Sequence, residues 1–209
     1  MIVKEEITGL ILAGGRGMRM GQVNKGLQLL DGEPMVAHVL RRLAPQVGVM
    51  MINANQDLAI YAQLCPAVFA DRFSGYAGPL AGLHCGLYHC TTPYLISVPC
   101  DSPFLPADLA TRLACALEGH AAQIAVVTTV EEVDGEMCQQ AQPVFSLVRS
   151  DLLAHLENFL QSGGRKVSDW YASLNVVEVA FDDVACFRNI NTLDELAQNA
   201  SPKLTNAKI

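Results

Sequence analysis

Short apolar runs alternate with segments of helical spacing along most of the chain, and this alternation constrains the fold more than any other feature. The runs are ITGLILAG (7–14), VGVMMINAN (47–55), PAVFADR (66–72), PYLISVPCD (93–101) and AQIAVVTTV (122–130). Apolar residues on consecutive positions suit strands buried on both faces, and the segments between them supply helices to cover those faces. EPMVAHVLRRLAPQ places Met35, Val36, Val39, Leu40 and Leu43 on one side and reads as a helix beginning at Pro34. DLAIYAQL, GPLAGLHCGLYHC and PADLATRLACALEG read as further helices, the last beginning at Pro106 and ending at Gly119. The expected fold is a three-layer α/β/α sandwich around an open, mostly parallel, Rossmann-like sheet.

The last third is less regular. EEVDGEMCQQAQPVFSLV predicts a small antiparallel hairpin turning near Asp134-Gly135, with Gln142-Pro143 opening the return strand. SDLLAHLENFLQSGG reads as a helix with Ser150 as N-cap, RKVSDWYASL as another helix, NVVEVAF as a strand, and TLDELAQNA as a final helix capped by Thr192. Residues 1–200 are expected to form one domain, with 201–209 a polar, frayed tail.

Composition excludes several functions. With 209 residues, 51% of them hydrophobic, the chain can bury a core without covalent staples. A net charge of −7 and the lack of any basic run argue against nucleic-acid or membrane binding. No span reaches the roughly 20 apolar residues of a membrane helix, and Glu5 and Glu6 before the first short run do not fit a signal peptide. The 7 cysteines form no CxxC pair, which predicts reduced thiols and a cytoplasmic protein.

The first run ends in LILAGGRGMRMGQVNKG (10–26), where Gly14, Gly15, Gly17, Gly21 and Gly26 mix with Arg16, Arg19 and Lys25. The loop lacks the GxxxxGK[ST] of a P-loop, because Gly26 follows Lys25, and its GxGxxxG spacing departs from a dinucleotide fingerprint. What remains is a long loop whose amides can face an anion while Arg19 and Lys25 neutralise it. Met18 and Met20 read as its apolar anchors.

Other polar residues also fall at strand ends: Asn53 and Asn55, Asp71, Asp101, Gln142 at the hairpin's return strand, and Asn189 and Asn191 in FRNIN. In a parallel sheet these ends share one edge, where ligands bind. Asp101 beside Ser102-Pro103 fits a turn aspartate; opposite a cationic loop it reads as a Mg²⁺ ligand. Asp71 suits either a surface ion pair with Arg72 or the cleft, and the asparagines suit strand ends or recognition of a base or ribose edge. Cys85 and His89 stand four apart with no second pair, so packed side chains are favoured over zinc.

LILAGGRGMRMGQVNKGL, GPLAGL, PCDSPFLP and NINTLDEL, in this order, resemble the signatures of MobA-like nucleotidyltransferases, from about Ile7 to Ala197. The resemblance implies a nucleotidyltransferase fold and transfer of GMP from GTP to the phosphate of molybdopterin, with release of pyrophosphate and use of Mg²⁺. It implies GTP contacts at Leu12, Ala13, Gly14, Gly15, Lys25, Asn53, Asp71, Gly78, Gly82 and Asp101, with Asp101 as metal ligand. Arg19, Lys25 and Asp101 become the catalytic set. Gln142, Arg165, Asn189 and Asn191 fall where such enzymes receive molybdopterin. Other molybdenum-cofactor proteins and molybdoenzyme chaperones are implied partners. Asn24 departs from the aspartate common in the group, and the segment before Gln142 is longer than usual. LAGG in place of LAAG favours GTP over CTP. The competing readings are a transferase using CTP or a sugar phosphate, and a non-catalytic nucleotide-binding assembly factor.

Overall fold

A computed structural model of the chain describes residues 1–14, 24–73, 78–133, 136–191 and 195–196. In chain order its strands and helices begin with β1 (Ile7–Leu12), β2 (Leu29–Leu30), β3 (Glu33–Pro34), α1 (Met35–Leu43), β4 (Val49–Asn53) and α2 (Leu58–Leu64). They continue with β5 (Val68–Phe69), α3 (Pro79–His89), β6 (Tyr94–Pro99), α4 (Leu109–Gly119) and β7 (Ile124–Val133). The last are β8 (Glu136–Arg149), α5 (Leu153–Gln161), α6 (Val167–Tyr171) and β9 (Val176–Phe181). Seven strands form one sheet in the order β5-β4-β1-β6-β8-β7-β9, and β2 and β3 form a separate two-stranded antiparallel ribbon.

The expected α/β architecture is present, with one reversed strand. β1 pairs parallel with β4 and β6, and β4 parallel with β5, while β8 runs antiparallel to both β6 and β7. β9 returns parallel to β7. The predicted hairpin is therefore part of the main sheet, with its return strand lying between β6 and β7.

Successive side chains of these strands enter opposite layers, which explains the unbroken apolar runs. Ile11, Ile52, Ile96, Val127 and Leu147 pack with Val39 and Leu43 of α1, Tyr61 of α2 and Leu113 of α4. From the other face of the same strands, Leu10, Met51, Leu95, Ile124 and Val148 pack with Leu83 and Leu87 of α3, Leu156 of α5 and Trp170 of α6. Among the described residues, no helix is long and apolar enough to cross a membrane.

Local differences from the sequence reading have plain causes. Pro34 pairs with Leu29 in the ribbon, so α1 begins one residue later. α4 begins at Leu109 rather than Pro106. Ser150 lies inside a 3₁₀ turn, Ser150–Leu152, that leads into α5, so it does not cap that helix. Gln142-Pro143 sits within β8 instead of opening it. There Ser146 faces Val126 and Gln142 faces Val127, so residues 143–145 bulge from the ladder, where a proline without an N–H is tolerated. Ser97 Oγ donates to the Val144 carbonyl at 2.6 Å and Tyr171 donates to the Pro143 carbonyl at 2.8 Å, holding the bulge in place. The expected turn at Asp134-Gly135, the Thr192 cap and the tail from 201 lie outside the described residues.

Candidate active site

The connections out of β1 run first to β4 on one side and later to β6 on the other, so a crevice opens at the carboxyl end of β1. Strand register brings the candidate residues to that edge. Leu12 is aligned with Asn53 on one side and Pro99 on the other, and Asn53 is aligned with Phe69. Hydrogen bonds from Ala13 N to the Asn53 carbonyl, 2.8 Å, and from Cys100 N to the Leu12 carbonyl, 3.1 Å, extend the order past the strand ends.

On the β4 side, Asn53 is 2% exposed, and its amide donates to Asp71 Oδ1 at 2.9 Å and to the Phe69 carbonyl at 3.2 Å. Asn55 donates to Asp71 Oδ2 at 2.8 Å and accepts from Asp71 N at 2.9 Å. Asp71 thus ties two strand exits together. Arg72 is engaged elsewhere, its guanidinium 3.6 Å from the centre of the Tyr88 ring, while Asp71 is held by Asn53 and Asn55. Cys85 donates to the Ala70 carbonyl at 3.1 Å and His89 stacks on Phe69 with ring centroids 3.7 Å apart, so both are engaged as packed side chains.

Glycines let other backbone approach this network. Gly78 precedes α3 with φ +68° and ψ −155°, a conformation open almost only to glycine. A Cβ on Gly82 would lie 2.5 Å from Asn53 Oδ1 and 2.6 Å from Leu12 Cδ2. One on Gly14 would come within 3.0 Å of the Asn55 amide nitrogen.

On the β6 side, Asp101 is 8% exposed, and Lys25 Nζ reaches its Oδ2 at 3.3 Å. Lys25 also donates to Asn191 Oδ1 at 2.8 Å. Burial pushes the Asp101 carboxyl above its ordinary value, and the Lys25 ammonium pulls in the opposite direction without cancelling the rise. The C-terminal segment is fastened here by Ile190 N on the Asp101 carbonyl, 2.9 Å, and by Ser102 Oγ on Asn189 Oδ1, 2.6 Å. Asn189 and Asn191 accordingly join the Lys25–Asp101 group. Gln142 donates to Thr129 Oγ1 at 3.2 Å beside the bulge, and Arg165 donates to the Leu160 and Gly164 carbonyls at the end of α5. Gly15, Arg19, Met18 and Met20 lie outside the described residues.

A MobA-like NTP transferase domain model matches residues 9–176. The chain belongs to the MobA-like NTP transferase family. This transferase is 53% identical, over 94% of its length and 97% of the relative, to the molybdenum cofactor guanylyltransferase of Cupriavidus necator. It is also 53% identical to the protein of that name from Ralstonia nicotianae, over 96% of this chain and 98% of the other. The crystal structure of molybdopterin-guanine dinucleotide biosynthesis protein A from Archaeoglobus fulgidus shares the transferase fold, with a TM-score of 0.72 at 22% identity, covering 92% of this chain and 96% of that one.

A divalent metal fits the donor chemistry at Asp101. Among the described residues, no group of three or more His, Cys, Asp or Glu side chains is placed to hold an ion. Mg²⁺ asks less: one or two carboxylates, with phosphate oxygens and water completing its shell. Sequence reasoning missed Ser102 and Tyr61 of the transferase. Ser102 looked like a turn residue, and Tyr61 is concealed on the apolar face of α2.

Proposed function

We propose that this chain transfers GMP from GTP to the terminal phosphate of molybdopterin, releasing pyrophosphate. The observation that carries the reading is the convergence of Lys25, Asp101 and Asn191 at the carboxyl ends of β1 and β6, beside the Asn53–Asp71 network. The names of the relatives support the choice of nucleotide and acceptor.

In the transfer, an acceptor phosphate oxygen attacks the α-phosphorus, the bond to the β-phosphate bridging oxygen breaks, and pyrophosphate leaves with that electron pair. Positioning and charge stabilisation carry most of the catalysis. Lys25, together with Arg19, holds the β- and γ-phosphates where leaving-group charge grows. Asn53 and Asp71, packed under Gly82, receive the guanosine half. Gln142, Arg165, Asn189 and Asn191 orient the acceptor. The acceptor phosphate is already largely ionised at pH 7, so the chain needs no side chain to take a proton from it. Mg²⁺ held by Asp101 supplies Lewis-acid charge to the phosphates when bound. The reading places the protein in the cytoplasm, where its seven free thiols stay reduced. Molybdenum-cofactor proteins and molybdoenzyme chaperones are its partners for delivery and use of the cofactor.

The test is pyrophosphate release from GTP with purified molybdopterin, with and without Mg²⁺. Release that requires acceptor and metal together is expected. Melting-temperature shifts with GTP, CTP, UTP and ATP in Mg²⁺ decide the nucleotide, because stabilisation follows affinity for the native state. About 2.7 kcal/mol is expected at 100 times Kd. A shift with CTP alone assigns the cleft to another transferase reaction, and GTP binding without pyrophosphate release assigns it to an assembly factor.

A further inference from the structure

We propose that Tyr61 and Asp57, both at α2, are positioning residues that set the place of Lys25 through Asn24. The proposal rests on Lys25 acting as a phosphate ligand, as argued above.

Tyr61 is fully buried, and its hydroxyl donates to Asn24 Oδ1 at 2.6 Å. The Asn24 amide donates in turn to Asp57 Oδ2 at 3.1 Å. Tyr61 and Asp57 stand one turn apart, so a single side chain from the cleft loop is gripped at both ends. Asn24 and Asp57 are both N-cap residues, of the 3₁₀ turn Lys25–Leu27 and of α2, and neither side chain caps its own turn. Each forgoes the local bond favoured at that position and reaches across to the other. Asp57 also carries φ +54°, uncommon for a residue with a side chain, which is retained where surrounding structure requires it.

The next residue in the loop closes the clamp. A Cβ on Gly26 would lie 2.6 Å from Tyr61 Oη and 3.2 Å from both Cys100 Cβ and Sγ. The turn is therefore pressed between α2 and the residue preceding Asp101. With Asn24 and Gly26 both held, the Lys25 backbone has little freedom, and its long side chain reaches Asp101 and Asn191 from a fixed root. Such preorganisation lowers the ordering cost when an anion arrives.

The polarity of the clamp gives a specific test. Asn24 must accept from Tyr61 and donate to Asp57, so Asn24→Asp sets a carboxylate against the Asp57 carboxylate. Adding Asp57→Asn restores the pair with donor and acceptor exchanged. Two quantities are read: kcat/KM for GTP, and the rate of Lys25 acylation by an amine-reactive ester in the absence of nucleotide, followed by mass spectrometry. Asn24→Asp is expected to lower kcat/KM about 10-fold, as loss of a hydrogen bond to a charged group suggests, and to speed acylation several-fold. The double variant is expected to bring both back to within about 3-fold of the parent, on the same scale. Tyr61→Phe provides an independent break that introduces no charge. Unchanged acylation in Asn24→Asp, or no recovery in the double variant, overturns the clamp. Faster acylation that recovers in the double variant, with kcat/KM constant throughout, supports the clamp and overturns Lys25 as a phosphate ligand.

Discussion

Turnover falls by at least about 100-fold when Asp101 is replaced by Ala, the scale on which loss of one preorganised electrostatic contact acts. Asp101 is the carboxylate at the end of β6 that faces Lys25, and its two proposed duties, holding Mg²⁺ and fixing the lysine, fail together. Asp101→Asn separates catalysis from folding. Burial holds the folded carboxyl above its ordinary value of 3.8, so the unfolded chain ionises first as pH rises. Wild-type stability therefore declines as pH rises from that value through the higher folded one, and the ionisation penalty persists above it. The Asn variant lacks that decline and is expected to melt no lower than wild type at pH 7 while remaining inactive. Melting curves from pH 3 to 8, read beside pyrophosphate release, check both statements. A folded variant with full turnover rejects the assignment.

The second large effect is expected from the smallest change. In Gly82→Ala a methyl group enters where Asn53 Oδ1 and Leu12 Cδ2 already lie within 2.6 Å. The Leu12 methyl can swing aside. The Asn53 side chain is bonded to Asp71 and Phe69, so it yields only by breaking those bonds or pushing α3 outward. Overpacking of this kind costs about 2 kcal/mol. If that strain falls on the nucleotide pocket, GTP affinity drops about 30-fold. Calorimetric titration of GTP in Mg²⁺ measures the loss, and thermal melting measures the part borne by the fold. Wild-type affinity in the variant would remove Asn53 from the nucleotide site.

Much of the cleft is written locally in the chain. β1, β4 and β6 are largely apolar runs, so their carboxyl ends are marked where the runs break: Gly14 after one, Asn53 within another, Asp101 after the third. A parallel sheet brings such ends to one edge without further information. The position of β8 was not legible, because periodicity reports that a segment is a strand and nothing about its neighbours. The placing of Asn189 and Asn191 at the cleft edge was legible as a pair of strand-exit residues, whereas their pairing with Ser102 and Lys25 was not. Their contacts cross 87 and 166 positions of sequence, and no local pattern encodes them. Tyr61 was concealed by its own chemistry, since a tyrosine on an apolar helix face reads as core until its hydroxyl partner is seen. Ser150 misled in the opposite direction, having the composition of a cap while sitting inside a 3₁₀ turn.

The reversed strand has a consequence for how such a cleft can diversify. β9 stays beside β7 only as far as Thr129, whereas the β7–β8 ladder continues from Val130↔Gln139 to Val133↔Glu136. Four rungs stand clear of the sheet, a parapet about 13 Å tall at the usual rise per residue. Rungs can be inserted or deleted there in matched pairs while every strand behind keeps its partners. The height of that edge is thereby free to drift, generation by generation, with the sheet beneath left as it was.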